Sequence, residues 1–157
     1  MNRRSFLATT GLSVSSLPTL SAGTAAPDTV DTKKILNYKP GMNYRRLGKT
    51  DIYLSEITLG GLVSVEPVIN NGIEQGVNLV HIASSYLGGQ SIKTLGNVMK
   101  TRRNQVYIAV KDNFTDIDAV LKALNTDYID FLMFQRHDPK AASDPKVRET
   151  LDRKSVV

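Results

Sequence analysis

The chain has 157 residues, a net charge of +5 at pH 7, 41% hydrophobic residues and no cysteine. That length and apolar content suffice for one compact domain with its own core, and the absence of cysteine excludes disulfides, thiolate metal sites and thiol nucleophiles. The basic pairs Lys33-Lys34, Arg45-Arg46 and Arg102-Arg103 are scattered, so no basic face interleaved with aromatics points to a nucleic-acid partner.

Asn2-Arg3-Arg4-Ser5-Phe6-Leu7 is followed by a mildly apolar stretch to about Leu20 and by small residues from Ser21 to Ala26, ahead of Pro27. This resembles a twin-arginine (Tat) signal peptide. Thr9, Thr10, Gly11, Ser13, Ser15 and Ser16 interrupt the apolar run, which is too short and too polar for a stable membrane span of about 20 apolar residues. The resemblance implies that residues 1–26 are a leader ending at Ala25 or Ala26, that the Tat export machinery is a partner, and that the protein is exported to a bacterial periplasm. Residues 27–42 read as a linker, because the stretch from Asp28 to Pro40 is mostly polar and aperiodic.

From Asn43 to the end the pattern is that of a domain. Asn43 to Leu47 and Ile52 to Leu54 are short β-like runs around Gly48-Lys49-Thr50-Asp51, a hairpin signal. Ser55 to Leu59 is expected as a strand closed by Gly60-Gly61. Val65, Val68, Ile69 and Ile73 recur at helical spacing, with Pro67 in the first turn and Gly76 at the stop. Val77 to Ile82 is the next strand, and Gly88-Gly89 opens a loop before a helix marked by Ile92, Leu95, Val98 and Met99. Val106 to Val110 is a further strand. Ile117, Val120, Leu121 and Leu124 form one helical face, with Thr115 expected as N-cap and Asp118 near the third helical position. Tyr128 to Phe134 is another strand, and Ser143-Asp144-Pro145 starts a last helix with Val147 and Leu151 on one side.

Strand and helix alternate, which means βαβ units around a parallel sheet. The strands are almost wholly apolar with little strict alternation, as expected for strands covered on both faces. Doubly wound and barrel folds both satisfy this. No Gly-x-Gly-x-x-Gly follows the first strand, so a phosphate-cradling dinucleotide turn is not supported.

Three stretches separate those options. Tyr44-Arg45-Arg46-Leu47-Gly48-Lys49-Thr50 with Leu54-Ser55-Glu56-Ile57-Thr58-Leu59-Gly60-Gly61 resembles the opening hairpin and first strand of aldo/keto reductases. Gly72-Ile73-Glu74-Gln75-Gly76-Val77-Asn78-Leu79-Val80 resembles that family's first helix end and second strand, and Thr126-Asp127-Tyr128-Ile129-Asp130-Phe131 the approach to its fourth strand. The resemblance implies an α/β fold, a partial (β/α)8 TIM barrel of about four βα units, with an N-terminal hairpin closing its bottom. A whole barrel of this kind takes about 250 residues, so residues 43–157 are expected to be its N-terminal half.

The same resemblance implies reduction of a small carbonyl substrate with hydride from NADP(H), by a tyrosine acid, a lysine, an aspartate and a histidine. The tyrosine position matches Tyr86 and the lysine position Lys111. The aspartate position holds His81 and the histidine position Gln135, with His137 as a substitute for Gln135 if the strand end shifts. His81, Lys111 and Gln135 each fall at the C-terminal end of a successive expected strand, the rim at which barrel enzymes place their chemistry. No metal ligands are expected.

The substitutions bear on the chemistry. A tyrosine, with an ordinary pKa of roughly 10, serves as general acid when a neighbouring cation favours its anion. An aspartate would hold that lysine by its charge; His81 cannot, and is expected to stay neutral beside it. Gln135 can donate a hydrogen bond but cannot shuttle a proton. Three readings follow: an exported reductase of which only the first half is present and whose activity is impaired, a non-catalytic barrel-like binding or scaffold protein, and a truncated fragment without independent function. The ending Arg153-Lys154-Ser155-Val156-Val157, inside an expected helix, favours a truncated or frameshifted reading frame.

Overall fold

The computed structural model describes residues 31–112 and 116–135 together with residues 144, 145 and 149. The twin-arginine segment, Thr115, His137 and most of the last expected helix lie outside the described residues.

An antiparallel hairpin pairs β1 (Tyr44–Arg46) with β2 (Tyr53–Ser55), closed by the Leu47 amide on the Ile52 carbonyl at 2.8 Å. Gly48 supplies the positive φ of the turn, a conformation that favours glycine. Then come α1 (Glu66–Glu74), β3 (Leu79–Ala83), α2 (Gln90–Arg102), β4 (Tyr107–Asp112), α3 (Ile117–Leu124) and β5 (Phe131–Phe134). The strands run parallel in the order β3-β4-β5.

The strand expected over residues 55–59 is not formed as such. β2 ends at Ser55, and only Leu59 joins the parallel sheet, by a single bridge to Val80. The Leu59 amide donates to the Leu79 carbonyl at 3.0 Å and the His81 amide to the Leu59 carbonyl at 2.9 Å. Of the expected strand only Ser55 lies in the hairpin, paired with Tyr44, and the Glu56 amide then donates back to the Asn43 carbonyl at 2.9 Å.

Leu59, β3, β4 and β5 therefore sit side by side in chain order. The side chains of Val80, Ile82, Ile108 and Val110 share one core with Ile69 and Ile73 of α1, Leu95 and Met99 of α2, and Val120 and Leu124 of α3. All three helices thus cover the same sheet face. A doubly wound sheet reverses its strand order and carries helices on both faces; sequential order with one-sided helices is the winding of a barrel.

The expectation of strands buried on both faces is corrected by this arrangement. Val80, Ile82, Ile108 and Val110 are at most 3% exposed, whereas Leu79, His81, Tyr107, Lys111 and Met133 on the opposite face are only partly covered. Apolar residues on both sides, such as Leu79, Ala109 and Phe131, hid the alternation. In α1, Ile69 and Ile73 are buried as expected, but Val68 is half exposed, because the sheet occupies only the Ile69/Ile73 side of this helix. The cap of α3 is Asp116, whose carboxylate accepts from the Ala119 amide at 3.0 Å; Asp118 falls one position earlier in the helix than expected.

The segment expected as a linker is part of the domain from Asp31 onward. Ile35 is buried, and the Asn37 side-chain amide donates to the carbonyls of Ile73 at 2.7 Å and Val77 at 3.1 Å, satisfying carbonyls at the end of α1 that the helix itself leaves open. The Tyr44 hydroxyl accepts from the Lys39 amide at 3.0 Å and lies within donating distance of the carbonyls of Gly76 and Asn37. Fully buried Asn78 completes the knot. It accepts from the Ser55 amide at 2.8 Å and donates to the carbonyls of Leu36 and Tyr53, both at 2.9 Å.

At the N-terminal end of the sheet, Arg103 binds the Asp130 carboxylate at 2.8 Å and lies 3.7 Å over the Tyr128 ring centroid. Asp130 also accepts from the Ile108 amide. This partly buried ion pair is supplemented by Arg103 donating to the carbonyls of Val106 and Tyr128 and to the Thr126 hydroxyl.

Candidate active site at the C-terminal rim

Three of the expected site residues meet. β3 and β4 pair in parallel with His81 opposite Ala109 and Ala83 opposite Lys111. Strand side chains alternate between faces, so His81 and Lys111 project from the same face of the sheet, the one away from the helices. Tyr86 opens a short 3-10 turn, Tyr86–Gly89, in which Leu87, Gly88 and Gly89 all take positive φ. Tyr86 lies three residues past Ala83, the end of β3, and its ring meets both side chains. The Tyr86 ring stands edge-on to the His81 imidazole, with centroids 5.8 Å apart and planes at 82°. The Lys111 ammonium lies 5.1 Å from the Tyr86 ring centroid, within reach of a cation–π attraction.

Gln135 follows β5 at the same rim; its backbone amide donates to the Asp112 carbonyl at 3.0 Å, it is exposed, and among the described residues no hydrogen bond joins it to Tyr86, Lys111 or His81.

A cleft of about 430 Å³ opens beside the cluster, lined by Gly60, Gly61, Leu62, Val63, His81 and Tyr86. Of these, the residues from Gly60 to Val63 were not singled out as site residues. The signal for them was the Gly60-Gly61 pair directly after the first strand. Gly61 is required for packing: a Cβ there would run into the His81 carbonyl oxygen and come within 2.8 Å of both the Ile82 Cα and the Tyr86 ring. The wall behind Tyr86 is therefore backbone, set as close as it can be.

The electrostatics follow from burial and from one nearby charge. Burial pushes the His81 imidazole below its usual pKa, and the Lys111 ammonium adds to that, so His81 is neutral at pH 7. Its Nε2 is buried with no hydrogen-bond partner. A neutral imidazole beside a lysine cannot anchor it by charge, as expected for the substitution at this position.

The fold of the described residues has counterparts among solved proteins. An aldo-keto reductase of Pseudomonas aeruginosa superposes with a TM-score of 0.60 at 20% identity, over 70% of this chain and 54% of its own. The fold is that of the aldo-keto reductases. Another aldo-keto reductase, from Klebsiella pneumoniae and solved in complex with NADPH, matches 72% of this chain and 54% of its own at 18% identity and a TM-score of 0.54. In sequence, the aldo-keto reductase AFTS1 of Alternaria alternata is 24% identical across 69% of this chain and 45% of its own length. No family model matches the chain. The chain thus spans about half the length of the aldo-keto reductases it resembles.

The aldo-keto reductase fold implies a nicotinamide dinucleotide, and the described residues do not fit one as a whole. The cleft offers glycines and apolar side chains against which a flat ring could lie, but no arginine or lysine lines it, and a dinucleotide needs partners for its phosphates.

Proposed function

We propose that this chain supplies the proton-donating side of an aldo-keto reductase-type carbonyl-reducing site. The observation that carries this reading is the Lys111 ammonium 5.1 Å from the centroid of the Tyr86 ring, which itself lines a cleft at the C-terminal rim. The Tyr86 hydroxyl would give its proton to the carbonyl oxygen as the carbon is reduced, and the Lys111 charge would favour the phenolate left behind. The reductant we propose is NADP(H), the cofactor with which a reductase of the same fold has been solved; groups outside the described residues would have to seat its phosphates. The test is consumption of NADPH by the full chain with a panel of small aldehydes and ketones. Turnover that disappears in Tyr86→Phe supports the proposal; turnover that survives in Tyr86→Phe overturns it.

A second reading, a non-catalytic barrel-like binding protein, is favoured by His81 standing where the resemblance expects an aspartate and by Gln135 standing where it expects a histidine. NADPH or carbonyl binding without turnover, unchanged after His81→Asp and Gln135→His are introduced together, would support it.

We further propose export through the Tat machinery to the periplasm, on the strength of Arg3-Arg4-Ser5-Phe6-Leu7 and the small residues up to Ala26. No helix among the described residues is long and apolar enough to cross a membrane. Fusion of residues 1–30 to a reporter that is active only after export tests this: export abolished by Arg3→Lys with Arg4→Lys is the expected result, and unaltered export the contrary one.

A further inference from the structure

The parallel sheet has two open edges. Leu59 spends both its amide and its carbonyl on β3, so the main-chain groups of Thr58 and Gly60, both exposed, turn to the opposite side. At the far edge the Gln135 amide binds the Asp112 carbonyl, which by alternation turns the Leu132 amide and carbonyl away from β4. Among the described residues no further strand joins the sheet at either edge. Such edges are templates for another strand.

Two apolar surfaces adjoin them. Asn97 and Arg102 of α2 donate to Glu66 and Glu74 of α1, while Ile69 and Ile73 face the sheet. Val65 and Val68 occupy the remaining flank of α1 and are 50% and 49% exposed. Gly72, one turn beyond Val68, lies against the Leu59 side chain, so this flank is on the Leu59 side of the helix. The second surface is the sheet face away from the helices, where Leu79, Tyr107 and Phe131 are partly covered and Met133 is 38% exposed. In a closed barrel that face is filled by side chains from strands across the axis.

The Leu59 segment, β3, β4 and β5 occupy four neighbouring positions of such a barrel, which has eight. The chain spans about half the length of the aldo-keto reductases it resembles, so two copies supply about one barrel. Every pairing in the sheet is parallel. A half-turn about the barrel axis therefore sets β5 of one copy beside the Leu59 segment of the other in parallel, and does so twice, leaving no edge.

We propose that a second copy of this chain closes the sheet, giving a two-fold symmetric barrel to which each copy contributes one half. The Leu132 edge of one copy bonds to the Thr58 edge of the other, Val65 and Val68 become covered, and the two apolar faces fill one interior. Both Tyr86–Lys111 clusters then open on the same rim.

Analytical ultracentrifugation of the full chain measures the assembly. A species of twice the chain mass, with nothing larger as concentration rises, is expected. Hydrogen exchange on that species should find the Leu132 and Thr58 amides protected. Dilution into the monomer should expose both while Ile108 and Val110 stay protected. Val68→Glu and Met133→Asp each bring an unpartnered charge into the contact and should weaken association about tenfold or more; Lys122→Glu, at an exposed position of α3, should not. A monomer at every concentration, oligomers that grow without limit, a dimer as tight in either variant as in the unaltered chain, or a dimer whose Leu132 amide is unprotected would overturn the proposal. If a variant fails to fold, exchange in the unaltered chain decides. None of these measurements needs NADPH or turnover, so the result is independent of the reductase reading.

Discussion

The Lys111 ammonium lies 5.1 Å from the centroid of the Tyr86 ring, although the two residues come from different strand–helix units. The parallel register produces this approach: Lys111 stands opposite Ala83, the last residue of β3, and Tyr86 follows three residues later. Without the cation, the phenolate formed on proton donation would lose its compensating charge. Lys111→Met is therefore expected to lower any carbonyl reduction by about 10²-fold or more, the scale on which general acids contribute. Comparing initial rates of the two proteins at saturating carbonyl checks it. A loss below threefold would mean that the lysine acts only in packing.

Gly61 sets how close the Tyr86 ring can come to the backbone. Alanine there would collide with the His81 carbonyl and with the ring, so either β3 or Tyr86 must move. Misplacing a reacting group by about 1 Å can cost about 10²-fold in rate, whereas small-to-large overpacking typically costs about 1–3 kcal/mol of stability. Gly61→Ala should thus remain folded at 25 °C by circular dichroism while losing most of any activity. Full activity in the variant would show that the close wall behind Tyr86 is irrelevant to chemistry.

His81 gives the site a pH signature. Its folded-state pKa is lowered by burial and by the neighbouring Lys111 charge. The unfolded chain binds a proton at the ordinary histidine value of about 6.5, before the folded protein does. Stability is therefore undiminished by this group above about pH 6.5 and falls as pH is lowered below it, until the folded imidazole also protonates. His81→Gln should flatten that part of the profile, read as urea midpoints between about pH 7.5 and pH 5, a range that spans the ordinary histidine value. A profile of unchanged slope would place the titration elsewhere.

What the sequence made legible, and what it hid, divides by the kind of bond. The helices over Ile92–Met99 and Ile117–Leu124 and the strand ending in Lys111 were visible because apolar periodicity records burial directly. Tyr86, Lys111 and His81 could be placed together because parallel strands bring their C-terminal ends to one rim. The docking of residues 31–42 was hidden. It rests on Asn37, Tyr44 and Asn78 bonding to main-chain carbonyls, and such bonds leave no period in a sequence. Asp116 was passed over as a cap in favour of Thr115 because both precede the apolar face, and a one-residue difference in helix start decides between them.

Asn78 shows how much rests on one such hidden group. It is a lone amide between Val77 and Leu79, wholly buried, tying the hairpin through Ser55 and Tyr53, and the N-terminal segment through Leu36, to the start of β3. Asn78→Leu keeps the approximate volume but leaves the Ser55 amide and the carbonyls of Leu36 and Tyr53 without these partners. Each buried group so orphaned costs about 1–3 kcal/mol, with some relief from water and backbone adjustment, so a total near 3–5 kcal/mol is expected. Against an overall stability of about 5–15 kcal/mol, that is enough to release the hairpin and residues 31–42 before the α/β sheet unfolds. Amide hydrogen exchange should then show the Ser55 and Glu56 amides losing protection while those of Ile108 and Val110 keep it. Uniform loss across both groups would instead mean that hairpin and sheet unfold as one unit, and unchanged protection of Ser55 would show that Asn78 contributes little to holding the hairpin.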